Sequence, residues 1–461
     1  MIRSLTVLDV EPSGAGFLLR LQADGQLHEA VLTARDHGAY LDLFEALAGD
    51  LGVRPPLARR EQAALPPDPR LRPVLTRNLS PGMLYGYGDP AVLRADDHDG
   101  PRWWLYVTSN DAPNAFPILS STDLESWRPE GFVFPAGSAP AWTLTGADLG
   151  DFWAPEAHRV GDQYWLCFAA RRQDRALAVG LAVSSSPAGP FQPFETPLIG
   201  GGVIDPHILI GPEDRAWLVW KEDANERWPP LVAQLIAQTP YVIKRLFDDP
   251  ADRRTAALCA ALYTSLPPGE PMEDFFRLQP LIEAAAEDFP AFRARLSALS
   301  QASDLPPDVR AIAAEALAAA ETRILAQAIA PDGSALAGEP VTLLVNDLAW
   351  EGHLVEGMWI ARIEDRYCLF YAANDFSTPN YGLGVATADH PLGPYVKQDE
   401  PLLGSSADWI GPGHPSVTTD AEGRPRLFLH AFEPGRLGYK AFRALLTAGI
   451  AIKDGRVVLT V

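Results

Sequence analysis

The chain has 461 residues, a formal net charge of −21 at pH 7 and a pI near 4.8. Nucleic acids and anionic membrane surfaces are therefore poor partners, because they repel an acidic protein. The sequence is 47% hydrophobic and 21% charged, which is typical of a globular protein with a large core. The N-terminal segment lacks the apolar core of a secretion signal, and no apolar run approaches membrane-spanning length, so we expect a cytoplasmic protein.

The first 75 residues predict a small α+β module. Three segments with alternating polarity, SLTVLDV, GFLLRLQ and HEAVLTA, are typical of short strands, and the helical pattern AYLDLFEALAGDLG follows them. The next stretch, LPPDPRLRP, is too rich in proline to continue a helix or a strand and predicts a linker.

From residue 80 to 461 a unit of strands recurs five times. Each unit has an apolar strand, a turn, a strand rich in Tyr or Trp and a strand of small residues, and two units share the endings SSSPAGPF and TADHPLGPY. Five units of about four strands predict a mainly β fold, a five-bladed β-propeller. The units begin with a titratable residue near proline or glycine, at Asp89, Glu156, Asp205, Glu356 and His414.

The third unit is much longer than the others, which predicts a helical insertion at residues 229–321. Apolar residues recur there at i+4 steps, as at Leu258 and Leu262, and PPDVRAIAAEALAAAETR opens as helices do. We expect a bundle of about four helices. The similar strings PLVAQLIA and ILAQAIA leave open which side of the insertion supplies the third strand of that unit.

The three cysteines, Cys167, Cys259 and Cys368, lack the spacing of a disulfide framework or a metal site. We expect all three to be buried thiols.

The repeated starts predict one site. In a propeller, matching positions ring the mouth of the central channel, so Asp89, Asp205 and Glu356 should face one another, with Glu156 and His414 as candidates for the same ring. Like charges raise the pKa of at least one carboxyl group, and a protonated acid opposite an ionised base is what glycosidic bond hydrolysis requires.

A single Asp-Pro or Glu-Gly pair more often starts a strand or caps a turn. Three carboxylates at equivalent positions favour a catalytic site. Glu156 differs from the others because its proline precedes it, which indicates a shifted register and a structural role.

Five motifs, YGDPAVL, DFWAPE, VIDPHI, LVEG and GPGHPSV, occur in an order that closely resembles glycoside hydrolase family 43, whose members are inverting five-bladed propeller enzymes. The resemblance covers about residues 80–445 apart from the insertion. It implies that Asp89 is the general base, Glu356 the general acid and Asp205 the carboxylate that modulates the pKa of the acid.

The same resemblance implies further roles. His414 is a candidate ligand, directly or through water, of a structural calcium ion on the propeller axis, although a hydrogen-bonded structural histidine is the alternative; the chemistry itself requires no cofactor. The resemblance makes Arg436 a candidate for bonding sugar hydroxyls. Trp153 is a candidate on its own position, because it precedes Ala-Pro-Glu at the mouth of the second blade, where a flat ring can stack on a sugar. Phe116 and Tyr381 are weaker candidates for substrate binding.

These features predict an exo-glycosidase that removes terminal arabinofuranosyl or xylosyl units from small plant-derived oligosaccharides. One alternative is a retaining, invertase-like furanosidase, but the motifs of that class, Asn-Asp-Pro, Arg-Asp-Pro and Glu-Cys, are replaced here by Gly-Asp-Pro, Ile-Asp-Pro and Glu-Gly. Another is a non-catalytic carbohydrate-binding propeller, which would not need three carboxylates. The N-terminal module and the insertion are candidate contacts for a homo-oligomer.

Overall fold

The computed structural model describes most of the chain and divides it into two compact units. The described residues are 5–13, 16–23, 25–33, 44, 52–54, 65–96, 98, 100–147, 149–211, 215–223, 226–265, 268–269 and 271–461. Unit 1 comprises the described residues of 1–61, 224–321 and 347–354, and unit 2 those of 62–223, 322–346 and 355–461. The N-terminal residues and the helical segment therefore belong to one unit, although the sequence treats them as separate additions.

Unit 1 begins with a three-stranded antiparallel sheet. Its strands are β1 (Leu5–Ser13), β2 (Gly16–Ala23) and β3 (Gln26–Thr33), which correspond to the three segments of alternating polarity. The helix expected after them lies outside the described residues, except for Phe44, which is helical and fully buried.

The rest of unit 1 is mainly helical. Its helices are α1 (Trp228–Gln238), α2 (Ile243–Leu246), α3 (Pro250–Ser265), α4 (Pro271–Ala286), α5 (Phe289–Ser300) and α6 (Pro307–Ala319), with 3₁₀ turns at Pro240–Val242 and Ala349–Glu351. The apolar stripe read from the sequence faces inward, since Leu258 and Leu262 are fully buried. The ring of Trp228 packs 5.6 Å from that of Phe289 and 5.8 Å from that of Phe292, measured between centroids.

Arg54 joins the N-terminal part of unit 1 to its helices. Its guanidinium lies 3.1 Å from the carboxylate of Asp252 and 2.8 Å from that of Glu287. Its backbone N–H donates to the hydroxyl of Thr255 over 2.8 Å. The two ion pairs and the backbone hydrogen bond together hold the segment around Arg54 against α3 and the end of α4.

Unit 2 consists of five antiparallel sheets, each built from strands that follow one another along the chain. Sheet 1 contains β5 (Ala91–Arg94), β6 (Trp103–Tyr106), β7 (Ala115–Ser121) and β8 (Trp127–Phe134). Sheet 2 contains β9 (Trp153–Val160), β10 (Gln163–Arg171), β11 (Leu177–Ser184) and β12 (Gln192–Pro193). Sheet 3 contains β13 (Val203–Ile210), β14 (Ala216–Glu222), β15 (Arg323–Ile329) and β16 (Leu336–Val345).

Sheets 4 and 5 complete the unit. Sheet 4 contains β17 (Val355–Ile363), β18 (Arg366–Ala373), β19 (Gly382–Ala388) and β20 (Val396–Lys397). Sheet 5 contains β21 (Ile410–Thr419), β22 (Pro425–Phe432), β23 (Ala444–Lys453) and β24 (Arg456–Thr460), with β4 (Arg72–Leu75) paired to β23. The expectation of a mainly β fold is confirmed.

The chain leaves sheet 3 after β14 and returns at β15. The string ILAQAI supplies the third strand, which pairs with β14 at Lys221↔Ile324, whereas PLVAQLIA lies in α1. Helical periodicity would carry α6 on through Ile324, but the helix ends at Ala319 because the following residues pair in the sheet.

The sheets pack face to face in a cyclic order. Apolar side chains of sheet 1 pack against sheet 2, as Tyr106 does near Phe168, and sheet 2 packs against sheet 3 through Trp165 and Leu218. Strand β17 of sheet 4 packs on the strands of sheet 3, and sheets 4 and 5 share a further core. Sheet 5 then packs back on sheet 1 through Phe428. All three cysteines are buried, and no described helix is long and apolar enough to span a bilayer.

Strand β4 carries a testable consequence, because it attaches the start of unit 2 to its last sheet. Leu75 is buried opposite Leu445, so Leu75→Ala should lower the free energy of unfolding of unit 2 by about 2–5 kcal/mol, seen as a lower urea midpoint. Arg72→Ala, on the same strand, removes only a half-exposed ion pair with Glu125 and should change it by less than about 1 kcal/mol. Equal effects of the two variants would show that β4 does not anchor the sheet.

Candidate active site

The first strand of each sheet in unit 2 has a residue with left-handed backbone at or near its start. Residues other than glycine rarely adopt this conformation, which costs of order 1–3 kcal/mol. Its recurrence therefore marks five equivalent positions. They are Asp89 (φ 50°), Ala154 (45°), Asp205 (54°), Gly357 (52°) and His414 (50°).

By this equivalence, two of the five residues predicted to begin the units, Glu356 and Glu156, do not lie at the equivalent position. Glu356 directly precedes the left-handed Gly357, where a Cβ atom would lie 2.8 Å from Nδ1 of His414, so only glycine fits. Glu156 comes two residues after Ala154, just as His207 comes two residues after Asp205. Glu156 therefore occupies the same position in β9 that His207 occupies in β13. This agrees with the shifted register that the proline before Glu156 indicates.

Asp89 is a buried carboxylate held by donors. Nη1 of Arg443 donates to its Oδ1 over 2.8 Å, and the hydroxyl of Thr108 donates to Oδ2. Burial alone would raise the pKa of Asp89, but the charges of Arg443, His414 and His430 and the Thr108 hydrogen bond together outweigh burial and hold the pKa well below its ordinary value. Asp89 is ionised at neutral pH.

Asp205 has the opposite tendency. Its Oδ2 accepts the backbone N–H of Gly357 over 2.8 Å, which ties it to the residue that follows Glu356. Burial and the charge of Asp89 raise the pKa of Asp205 to about 7, although Lys221 acts to lower it. Its charge therefore changes near neutral pH.

Glu356 is buried between two donors. Oε2 accepts from Nζ of Lys221 and Oε1 from the hydroxyl of Tyr381, each over 2.9 Å. Burial and the charge of Asp205 raise the pKa of Glu356, and Lys221 partly offsets them. The carboxyl groups of Asp89 and Glu356 thus differ in proton affinity within one site, as an acid and a base must.

His414 lies between two of the carboxylates. Its Nδ1 is 3.4 Å from Oδ1 of Asp89 and 4.0 Å from Oδ2 of Asp205. Those two oxygens already accept from Arg443 and from the backbone of Gly357, so the atoms around Nδ1 do not fit a directly bound calcium ion. An ion held through water on the axis stays a prediction.

Glu156, His158 and His207 are the group among the described residues whose donor atoms lie close enough, within 4.8 Å, to hold a metal ion. The hydrogen bonds of His207 argue against one. Its Nε2 accepts the N–H of Ile360 over 3.2 Å, so in the neutral ring the hydrogen is on Nδ1, which donates to Glu156 over 2.8 Å. Burial lowers the pKa of His207 and keeps the ring neutral. A nitrogen that carries hydrogen cannot bind a metal, so this group is a hydrogen-bonded layer joining β9, β13 and β17.

The predicted substrate-binding residues fall in different surroundings. Trp153 is half-buried, donates from Nε1 to Asn110 over 2.9 Å and has the guanidinium of Arg171 over its ring. Phe116 is fully buried and packs 5.5 Å from the ring of Phe168, so it belongs to the core rather than to a sugar-binding surface.

Tyr381 and Arg436 also depart from their expected roles. Tyr381 is buried, bonds Glu356 and stacks on the ring of His430 with centroids 6.1 Å apart, so its face is not available to a sugar. Arg436 has an exposed side chain that pairs with Glu433 over 2.9 Å. The arginine that reaches the carboxylates is Arg443.

Sequence reasoning did not find four residues that contact the site, and two of these had a signal. Lys221 and Arg443 are the charges of the otherwise apolar strings WLVWK and AFRALL, where a charge is buried only if it is paired. Nothing in the sequence around Thr108 or His430 indicated that these residues contact the site. His430 accepts the N–H of Asp89 through Nδ1 over 3.1 Å, and Thr108 accepts that of Ala154 over 2.8 Å.

Comparisons with known proteins agree with this geometry. The model of the glycosyl hydrolases family 43 matches residues 81–240 and 312–457, with its break inside the helical segment. Xylosidase/arabinosidase 43A of Humicola insolens is 36% identical over 66 residues, 14% of this chain. The matched region is 20% of that relative.

Two solved structures share the fold. A thermostable family-43 glycoside hydrolase has a TM-score of 0.56 at 22% identity, covering 83% of this chain and 96% of its own. An endo-1,4-beta-xylanase from Bacteroides thetaiotaomicron has a TM-score of 0.52 at 19% identity, covering 82% and 95%. At these identities the likeness is one of fold. Since the family model matches most of the chain, the protein belongs to the glycosyl hydrolases family 43.

Proposed function

We propose that this protein is an inverting exo-glycosidase that removes terminal arabinofuranosyl or xylosyl units from short oligosaccharides. The observation that carries the proposal is the pairing, in one buried site, of Asp89 with a lowered pKa and Glu356 with a raised one. Family membership supplies the reaction class.

In the proposed reaction Asp89 accepts a proton from water as that water attacks the anomeric carbon. Glu356 donates its proton to the departing oxygen, and the charge of Asp205 keeps the pKa of Glu356 high enough for the proton to be present. Arg443 and Thr108 hold Asp89 in orientation. An inverting arrangement needs the acid and the base roughly 6.5–9.5 Å apart to admit the water.

Three further observations support the finer parts of the proposal. The cyclic packing of five sheets, with β4 from the start of unit 2 paired into the last sheet, supports a closed five-bladed propeller. Asp89, Asp205 and Glu356 are only 7–9% exposed, which suits an enclosed pocket for a chain end better than an open groove. The similarity to Xylosidase/arabinosidase 43A of Humicola insolens supports a pentose as substrate.

Removing the base or the acid should each abolish most activity, but the two losses should depend differently on the leaving group of the substrate. Asp89→Asn should lower kcat on every aryl pentoside by about 10²–10⁴-fold, because no group then activates water. Glu356→Gln should lower it as strongly on phenyl pentosides but much less on dinitrophenyl pentosides, whose leaving group needs no proton. Steady-state kinetics test this, with Glu433→Gln, a carboxylate paired to the exposed Arg436, as the control expected to match the unmodified protein.

If the unmodified protein cleaves no aryl glycoside, the non-catalytic sugar-binding propeller is favoured instead. If both variants retain full activity, Asp89 and Glu356 are not the base and the acid.

The stereochemistry of the first product separates inversion from retention. Hydrolysis of a β-xyloside followed by proton NMR should give α-xylose first, since water attacks from the face opposite the leaving group. Appearance of β-xylose before mutarotation would favour the retaining, invertase-like alternative.

The pH profile should depend on Asp205. Its negative charge raises the pKa of Glu356, so Asp205→Asn should lower that pKa and the acid should lose its proton at lower pH. The alkaline limb of kcat/KM should therefore move down by about one pH unit, while Asp420→Asn, in a loop with Arg424, should leave it in place. An unmoved limb in a folded Asp205→Asn variant would contradict this role.

A further inference from the structure

Lys221 is the least expected charge in unit 2, because its side chain is fully buried. Burying an ammonium group is strongly unfavourable unless anions surround it. Its Nζ lies 2.9 Å from Oε2 of Glu356 and 3.6 Å from Oδ1 of Asp223, and Asp205 also acts on its charge. Three carboxylates from β13, β17 and the end of β14 therefore converge on one cation.

The need for this cation follows from the charges of the site. Asp89 is paired with Arg443, whereas Glu356, Asp223 and Asp205 all act on the charge of Lys221. Burial and repulsion from neighbouring carboxylates raise the pKa of Asp205 and of Glu356, so protons on these two groups remove part of the negative charge. The charge of Lys221 thus limits how far the pKa values of Asp205 and Glu356 rise.

Stability alone does not explain a buried lysine. Buried ion pairs contribute little net stability, and an apolar residue of similar volume often serves as well. The ammonium does give Glu356 what a proton donor needs: a fixed orientation, and a pKa kept from rising so far that the proton is not released. The neighbour that opposes it is Asp223, because a second carboxylate draws the ammonium away from Glu356.

We propose that Lys221 is a positioning residue that orients the side chain of Glu356 and sets its acid strength, with Asp223 as its counterweight. This inference rests on the proposed role of Glu356 as general acid. A residue of β14, the second strand of sheet 3, would then act in the reaction, whereas the sequence motifs place the reacting groups only on the first strand of each sheet.

The test is a pair of variants with opposite expected effects. Lys221→Met removes the positive charge beside Glu356, so the pKa of the acid rises and the alkaline limb of kcat/KM should move up by about one pH unit or more. Asp223→Asn removes a carboxylate that competes with Glu356 for Lys221, so the pKa of Glu356 falls and the limb should move down. A side chain that only filled space would produce neither shift, and in particular not two of opposite sign.

A second readout reports orientation. In Lys221→Met the kcat for phenyl pentosides should fall about tenfold or more, while that for dinitrophenyl pentosides falls less, since only the former need the proton. Lys221→Arg keeps the charge and should hold the alkaline limb near its original position. Lys397→Met, which removes a lysine over the ring of Tyr371 in sheet 4, is the matched control and should leave the profile unchanged.

Folding of each variant is checked by thermal unfolding. The inference is overturned if folded Lys221→Met keeps the original limb, or if Asp223→Asn moves it upward. If Lys221→Met does not fold, Asp223→Asn decides alone. If instead Glu356→Gln retains activity on phenyl pentosides, the proposed function itself fails, which is a separate outcome.

Discussion

The first strand of each sheet in unit 2 has an edge with no neighbouring strand, and its backbone N–H groups must find other acceptors. Side chains of the adjacent sheet supply them: His430 accepts from Asp89, Thr108 from Ala154, and Asp205 from Gly357. The residues that satisfy the backbone are thus the ones that build the site. The same bonds that join one sheet to the next fix the carboxylates relative to one another, so the site depends on the order of the sheets rather than on any one loop.

The electrostatics of the site follow from burial with few cations. Arg443 holds Asp89 ionised, while Lys221 only partly offsets burial around Asp205 and Glu356. Two carboxyl groups of similar intrinsic acidity are driven in opposite directions by what lies beside them. Beneath them, the layer of Glu156, His158 and His207 is satisfied by its own hydrogen bonds. The polar interior is therefore divided into a charged upper level and a neutral lower level.

The chain leaves unit 2 for unit 1 twice, and each of these two segments of unit 1 adjoins a residue of the site in the sequence. The helical segment leaves after Asp223, directly beyond Lys221, and residues 347–354 form a second departure that ends just before Glu356. The strands that carry Glu356, the proposed proton donor, and Lys221 are therefore the ones that the chain connects to segments of unit 1. Five sheets are nevertheless completed, because β15 pairs with β14 despite the long intervening segment.

The sequence by itself determined the strands of unit 2, the position of the helical segment and the three carboxylates, because alternation, helical spacing and motif order are local properties of a chain. It did not decide which side chains reach those carboxylates. Arg443, which the sequence did not single out, pairs with Asp89, and Tyr381 bonds Glu356 instead of presenting its face to a sugar. The choice of ILAQAI as a strand likewise needed its partner β14. Each of these depends on contacts between residues far apart in the chain, and only the packing of complete sheets brings them together.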